Sequence, residues 1–277
     1  MRRILLTLSF IILGLGLIAY PQISKHIYDK NMDSEILSYE KEVTNAEKKK
    51  IEEEWEKAII YNQNLKGNPV RDPFIEGSGR ALPENYLNVL NFPNNSMGYI
   101  EIPKINIKLP IYHGTSEETL QKGIGHMEGT TLPIGGKENH SVLTGHSGLA
   151  HSKMFTDLTE LKYGDLFFIK VLDETFAYKV DQIKTVLPDN LKYIELEKED
   201  FVTLITCTPY GVNSHRLLVR GVRTEYNQKE KDSIKSYNNE SEADRKLKKV
   251  IIITSIIMTI LIIIALILKR FKYNKLK

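Results

Sequence analysis

Cys207 is the residue whose type and setting most clearly indicate chemistry. It is the only cysteine of the chain, it ends the β-type run 201–207, and a loop with Pro209 and Gly211 follows it. A lone cysteine has no intramolecular disulfide partner, so it is either a buried structural thiol or a nucleophile. Arg216 opens the next apolar run. If the two runs form a hairpin, Cys207 and Arg216 face each other within about 5–10 Å, and the cation favours the thiolate or stabilises charge that develops beside it.

A cysteine nucleophile also needs a partner for proton transfer, nearly always a histidine that is distant in sequence. The chain has seven histidines. His146 follows the β-type run 141–144 and lies between Gly145 and Ser147-Gly148, where small residues allow a substrate to approach closely. We therefore rank His146 first as the acid or base, followed by His215 and His126.

Composition limits the remaining classes of function. The chain has 277 residues and a formal net charge of only +3, with many of its basic residues near the two ends, so nothing favours nucleic-acid binding. Ligands at metal-binding spacing are absent from the sequence, and we expect no metal and no cofactor. One cysteine also excludes a fold held together by disulfides.

Two apolar runs predict a membrane protein. Ile4 to Tyr20 follows Arg2 and Arg3, and Val250 to Leu268 contains no charge and precedes a basic tail. Runs of about 17 to 19 apolar residues suit a spanning helix, although the first resembles a cleaved signal peptide as well. The positive-inside rule then predicts a two-span protein in the lipid bilayer, with both termini cytoplasmic and the catalytic region extracellular.

The stretch between these runs changes character along the chain. Residues 33–64 carry apolar side chains at helical spacing, residues 65–97 are rich in Pro, Gly and Asn, and short β-type runs follow from Gly98 to Val222. These runs are 99–103, 105–112, 141–144, 166–171, 176–187, 201–207 and 217–222. Two short helices are predicted among them, one starting at the capping box Thr115-x-x-Glu118 and one over about 153–161. The predicted fold is mostly β, a barrel or sandwich with short inserted helices. The predicted segments are an N-terminal anchor (1–24), a helical region (25–66), an irregular segment (67–97), a β domain (98–224), a polar tether (225–249), a C-terminal transmembrane helix (250–268) and a basic cytoplasmic tail (269–277).

Three motifs together resemble the active site of sortases, membrane-bound cysteine transpeptidases of Gram-positive bacteria. They are Thr-Leu-x-Thr-Cys at 203–207, Arg216 after the following loop, and Gly-His-x-Gly at 145–148. The resemblance covers about residues 98–223 and implies the closed sortase β-barrel. It implies that Cys207 is the nucleophile, His146 the general acid/base and Arg216 the group that stabilises the oxyanion. Ser147 departs from the pattern, because such sortases often carry a basic residue there.

The resemblance also implies a reaction. A sortase cleaves a Leu-Pro-x-Thr-Gly-like sorting motif between Thr and Gly through a cysteine thioester, and an amine then resolves the thioester. Asp72-Pro73-Phe74 is similar to the lid of class C, pilus-assembling sortases. In that family the lid covers the site, so Asp72 would pair with Arg216 and Phe74 would cover Cys207. The expected partners are pilin or surface-protein substrates, and the acceptor would be a pilin lysine.

Three alternatives remain at this point. A sortase could instead anchor surface proteins to peptidoglycan, although Asp72 to Phe74 and the second apolar run disfavour this. A non-catalytic two-span surface protein would use Cys207 only to fill its core. A papain-like protease is disfavoured because the only tryptophan, Trp55, lies in the helical region and not beside the cysteine.

Overall fold

Short strands dominate the part of the chain that carries the predicted site. The computed structural model describes residues 2–65, 84–149, 152–188, 199–235, 249–253 and 256, which belong to two compact units, Met1–Gln228 and Lys229–Lys277. The strands of the first unit are β1 (Ser96–Ile102), β2 (Ile107–His113), β3 (Ile124–His126), β4 (Asn139–Thr144), β5 (Leu166–Val171), β6 (Glu174–Val186), β7 (Asp200–Thr208) and β8 (His215–Thr224). In the second unit, the described residues 229–235 and 249–253 are helical.

Helices precede and interrupt these strands. The α-helices of the first unit are α1 (Arg2–Asn45), α2 (Lys48–Asn64), α3 (Glu84–Leu87) and α4 (Glu117–Lys122). Single 3₁₀ turns cover Pro93–Asn95, Pro103–Ile105 and Thr156–Glu160. The last of these lies where the sequence predicts a helix from about 153 to 161. The position of that helix is predicted correctly, but it is a 3₁₀ helix and not an α-helix.

The strands close into a barrel in the order β1-β2-β3-β4-β7-β8-β6-β5. Closure removes the free edges that would otherwise offer unpaired backbone groups to other chains. Two neighbouring pairs, β2 with β3 and β4 with β7, are parallel, and the other neighbours are antiparallel. The prediction of a mostly β, closed barrel with helices is confirmed.

Helix α1 packs on the barrel through one buried face. Ile36 and Tyr39 are each only 1% exposed and belong to the same apolar core as Ile100 and Phe167 of the barrel. The Tyr39 hydroxyl donates a hydrogen bond to the Met97 carbonyl (3.1 Å) and accepts one from the Leu172 amide (2.7 Å). Both faces of strand β1 are therefore covered, which explains why all seven of its residues are buried.

The prediction of a two-span membrane protein is wrong. Among the described residues, no helix combines the length and the apolarity that a bilayer crossing requires. Ile4 to Tyr20 is the first part of α1, a helix that continues through charged residues to Asn45 and packs on the barrel at Ile36 and Tyr39. Most of the second candidate, Val250 to Leu268, and the tail 269–277 lie outside the described residues.

Candidate active site

Cys207 lies near the end of strand β7, which runs through the barrel wall. Its run of apolar residues explains the placement, since Val202, Leu204 and Ile205 are completely buried and Cys207 itself is 9% exposed. Strand β7 has β4 as its parallel neighbour on one side and β8 as its antiparallel neighbour on the other. Groups from two further strands can therefore meet the thiol.

Arg216 is the residue directly opposite Cys207 in the β7–β8 ladder. Directly opposed residues of antiparallel strands have Cα atoms about 4.5–5.5 Å apart, and their side chains share one face of the sheet. Arg216 is 4% exposed, and its Nη1 donates to the carbonyls of Asn213 (3.0 Å) and His215 (3.2 Å). These two carbonyls, one in the β7–β8 loop and one at the start of β8, stabilise the buried cation beside the cysteine, as a buried charge requires.

His146 follows strand β4, the parallel neighbour of β7. The parallel ladder of β4 with β7 runs in constant register from Asn139 opposite Asp200 to Thr144 opposite Ile205. His146 follows Thr144 by two residues, just as Cys207 follows Ile205, so we expect the histidine to lie near the cysteine where the chain continues beyond β4. We call His146, Cys207 and Arg216 the three-strand row, because Cys207 and Arg216 lie on β7 and β8 and His146 lies two residues after β4.

Backbone contacts hold the chain at His146 after strand β4 has ended. The Gly145 amide donates to the Ile205 carbonyl (3.1 Å), and the Thr206 hydroxyl donates to the Gly145 carbonyl (2.7 Å). The Phe155 amide donates to the carbonyl of His146 (3.0 Å). A Cβ at Gly145 would come within 2.8 Å of the Phe155 ring, so only glycine permits this close packing.

The imidazole of His146 meets a carboxylate that the sequence did not single out. Its side chain is 17% exposed, and its Nε2 lies 3.4 Å from Oε1 of Glu117, the first residue of α4. The signal for α4 in the sequence was the capping motif, which indicated where a helix starts. It carried no information about which strand end the helix faces.

The two lower-ranked histidines have other environments. His126 is completely buried, and its Nδ1 lies 2.8 Å from the Tyr86 hydroxyl while its Nε2 lies 2.9 Å from the Thr131 carbonyl. Burial lowers the pKa of His126 to about 4. His215 precedes Arg216 on β8 and therefore faces the opposite side of the sheet, with Nδ1 2.9 Å from the Ser214 hydroxyl. Of the three, His146 is the one that follows β4, the parallel neighbour of the strand that carries Cys207.

The remaining predicted site residues, Asp72 and Phe74, lie outside the described residues. Within the part of the chain that the structure describes, no group of three or more His, Cys, Asp or Glu side chains is arranged to hold a metal ion. The chemistry that the described residues offer is therefore that of a thiol, an imidazole and a guanidinium at one end of three adjacent strands.

Comparison with known proteins agrees with this architecture. The protein-family model described as Sortase domain matches residues 100–224 of this chain. Sortase D of Bacillus subtilis is 34% identical over 131 residues, which cover 46% of this chain and 63% of that protein, so the match spans less than two thirds of the relative. The crystal structure of sortase C-1 from Streptococcus pneumoniae is 44% identical with a TM-score of 0.66 and covers 70% of this chain and all of that chain. The structure called pilus-related sortase C of Group B Streptococcus is 42% identical, with a TM-score of 0.64, and covers 69% of this chain and 97% of that one.

The barrel and the three-strand row define a cysteine-based site on a closed β fold. The chain belongs to the sortase family, and the solved structures that it resembles place it in class C. The family and the class expected from the sequence motifs are thus confirmed.

Proposed function

We propose that this chain is a cysteine transpeptidase that cleaves a Leu-Pro-x-Thr-Gly-like sorting motif between Thr and Gly and transfers the acyl part to an amine. The observation that supports the proposal most strongly is the register of the three central strands. Cys207 lies opposite Arg216, and the β4–β7 ladder runs as far as Thr144, two residues before His146. Nucleophilic catalysis by cysteine requires a thiolate, a group that transfers protons and a group that stabilises the oxyanion.

The chemistry proceeds in two half-reactions. The Cys207 sulfur attacks the Thr carbonyl, and the carbon–nitrogen bond of the tetrahedral intermediate breaks to give a thioester. The Gly-side amine leaves with a proton from His146. A second amine then attacks the thioester and passes a proton to His146. The carbon–sulfur bond breaks, and the Cys207 thiolate is released. No oxidant and no cofactor is needed.

Arg216 suits the role of oxyanion stabiliser. The planar fork of its guanidinium presents several N–H donors in a fixed geometry. In this chain it is nearly buried, where a charge acts more strongly than it does in water. The carbonyls of Asn213 and His215 accept from Nη1 and thereby orient the group before substrate binds.

The acceptor that we propose is the side-chain amine of a lysine on a pilin subunit, which makes the product an isopeptide-linked polymer. This step rests on analogy with a solved structure, 42% identical to this chain, that is described as a pilus-related sortase C. We further propose that Asp72 and Phe74 form a lid over the site. A carboxylate would neutralise Arg216, and an aromatic ring would shield the Cys207 thiol from oxidants.

Mass spectrometry of the full chain incubated with a sorting-motif peptide tests the reaction class. We expect an adduct whose mass equals that of the peptide fragment ending in Thr, attached to Cys207. Cys207→Ala should form none, and Arg216→Lys, which keeps the charge but not the fork, should form it at least tenfold more slowly. An unmodified wild-type protein, or an adduct that persists in Cys207→Ala, would contradict the proposal.

A second incubation distinguishes pilus polymerisation from attachment to the cell wall. The full chain is mixed with a purified pilin that carries both a sorting motif and a lysine acceptor, and separately with the same pilin and a peptidoglycan-type amine. A ladder of covalent pilin multimers supports polymerisation. Exclusive transfer to the peptidoglycan-type amine would contradict it and support the wall-anchoring alternative.

The lid proposal is tested by the rate at which a small thiol reagent labels Cys207. Asp72→Ala and Phe74→Ala should each increase that rate, because either change loosens the cover over the thiol. Glu76→Ala is the matched control, since it removes a carboxylate from the same segment outside the Asp-Pro-aromatic motif. Equal labelling rates in all four proteins would refute the lid.

A further inference from the structure

Glu117 is a charged side chain at the three-strand row to which the reaction described above gives no role. Its Oε1 lies 3.4 Å from Nε2 of His146, which is an ion-pair distance whenever the imidazole is protonated. We propose that Glu117 is a positioning residue for His146: its carboxylate restrains the ring and stabilises the imidazolium that forms during the reaction. This inference rests on the proposed function, because it assumes that His146 carries the proton.

The first requirement for such a role is that the carboxylate itself is held in place. Helix α4 begins with Ser116 as its N-cap, whose hydroxyl accepts from the Thr119 amide (3.2 Å). Leu120 is 1% exposed and anchors the helix to the core. Gln121, one turn after Glu117, donates from Nε2 to Oε1 of Glu117 (2.6 Å). The carboxylate oxygen that faces His146 is therefore oriented from its own helix.

The second requirement is that α4 and the His146 segment keep a fixed distance. The hydroxyl of Tyr28 on α1 donates to the Lys122 carbonyl at the end of α4 (2.6 Å) and lies 3.5 Å from the Met154 sulfur. The residue after Met154, Phe155, donates its amide to the His146 carbonyl. One side chain thus touches both the helix that carries Glu117 and the segment that holds His146.

The chemical benefit follows from which group carries the proton in the two half-reactions. Whichever of Cys207 and His146 holds the proton in the resting enzyme, the imidazole carries it when the leaving amine must be protonated. A carboxylate at 3.4 Å stabilises that cation more than it stabilises the neutral ring. The Glu117 side chain is 70% exposed, so solvent and salt weaken the interaction without abolishing it.

The next residue of the helix provides a matched control. Glu118 carries the same carboxylate on the same turn of α4, but its side chain is 81% exposed and pairs with Lys122 at 2.6 Å. Consecutive residues of a helix point about 100° apart, so Glu118 faces away from the partner of Glu117. Replacing either residue by Gln removes one exposed negative charge and conserves side-chain size.

The experiment compares steady-state cleavage of a sorting-motif peptide by the full chain and by Glu117→Gln, Glu117→Asp and Glu118→Gln. We expect Glu117→Gln to lower kcat about threefold to tenfold and to leave KM within about twofold, as expected for an interaction made mainly with a charged reaction state. Glu117→Asp should recover part of the lost kcat. Glu118→Gln should keep the wild-type kcat, and all three variants should unfold at the wild-type Tm.

Ionic strength supplies a readout that a purely structural role would not change. Salt screens the Glu117–imidazolium pair, so kcat at saturating peptide should fall with added salt in wild type and Glu118→Gln, and this dependence should be weaker in Glu117→Gln.

If wild type forms no acyl adduct on Cys207, the proposed function fails and this inference fails with it. If the adduct forms but Glu117→Gln keeps wild-type kcat and salt dependence, only the positioning role is overturned. Equal losses in Glu117→Gln and Glu118→Gln would overturn it as well.

Discussion

Two histidines of this barrel show how the surroundings of the ring decide what an imidazole can do. His126 is completely buried with both nitrogens engaged, whereas His146 is partly exposed beside a carboxylate. The Thr131 carbonyl can only accept, so Nε2 of His126 carries the proton and Nδ1 accepts from the Tyr86 hydroxyl. His126 is thereby fixed as a neutral structural group.

We predict that His126→Gln flattens the dependence of stability on pH. An unfolded histidine titrates near pH 6.5, while burial lowers the pKa of His126 to about 4. Between these values the unfolded chain binds a proton that the folded chain does not bind. The unfolding free energy therefore falls as pH falls, by about 3 kcal/mol at most. Gln does not titrate, so denaturant unfolding of the variant at pH 7 to 4 should show a smaller slope.

The control for this prediction is Tyr86→Phe, which removes the hydroxyl that contacts His126 but keeps the titrating ring. It should be less stable than wild type at every pH and keep a pH dependence because its ring still titrates, with a slope smaller than that of wild type because Nδ1 has lost its donor. A residual slope is expected in His126→Gln, because burial also lowers the pKa of the neighbouring His113. An unchanged slope between pH 6.5 and 5 would contradict the prediction.

At the scale of elements, α1 depends on a polar contact as well as on apolar packing. The Tyr39 hydroxyl bridges the Met97 carbonyl of β1 and the Leu172 amide, which lies between β5 and β6. We predict that Tyr39→Phe lowers the unfolding free energy by about 1–3 kcal/mol, because the variant leaves the buried Leu172 amide without this acceptor. Tyr163→Phe is the control: Tyr163 is 67% exposed, and its variant should match wild type in chemical denaturation. Equal stability of the two variants would show that the bridge contributes nothing.

The elements also show what the sequence could and could not predict. Alternating and apolar β-type runs located seven of the eight strands that the described residues form, since each run is long enough to show its period. Strand β3 was missed because its three residues, Ile124–His126, are too few for a pattern and form only through pairing with β2 and β4. The start of α4 was predicted at Thr115, but Ser116 is the N-cap, since either hydroxyl fits the motif.

The candidate site was predictable in part for a similar reason. The motifs around Cys207, His146 and Arg216 are local, so sequence identifies them, and the hairpin of β7 and β8 gives the Cys207–Arg216 pairing from loop length alone. Glu117 could not be found in this way. Its proximity to His146 depends on how α4 packs across the end of β4, and no periodicity or spacing in the sequence encodes that contact.

At the scale of the whole molecule, the barrel and the helix α1 share one core. Met32, Ile36, Tyr39 and Val43 of α1 are all less than 10% exposed and belong to the same cluster as the barrel interior. Burial of one such side chain contributes about 1.5–3 kcal/mol, so the set is worth about as much as the net stability of a typical domain. The barrel should therefore not be stable without α1.

All eight described strands and the three-strand row lie in the unit Met1–Gln228. We therefore predict that a chain ending at Gln228 keeps the wild-type rate of Cys207 acylation by a sorting-motif peptide and unfolds within about 2 °C of the full chain. A chain that instead starts at Lys48, and so lacks α1, should lose its cooperative thermal transition or unfold at least 10 °C lower, because it exposes the core face that α1 covers. Circular dichroism melts and intact-protein mass spectra of the two deletions measure both quantities. If the two deletions behave alike, or if the chain starting at Lys48 is the more stable one, then α1 is not part of the folding unit of the barrel.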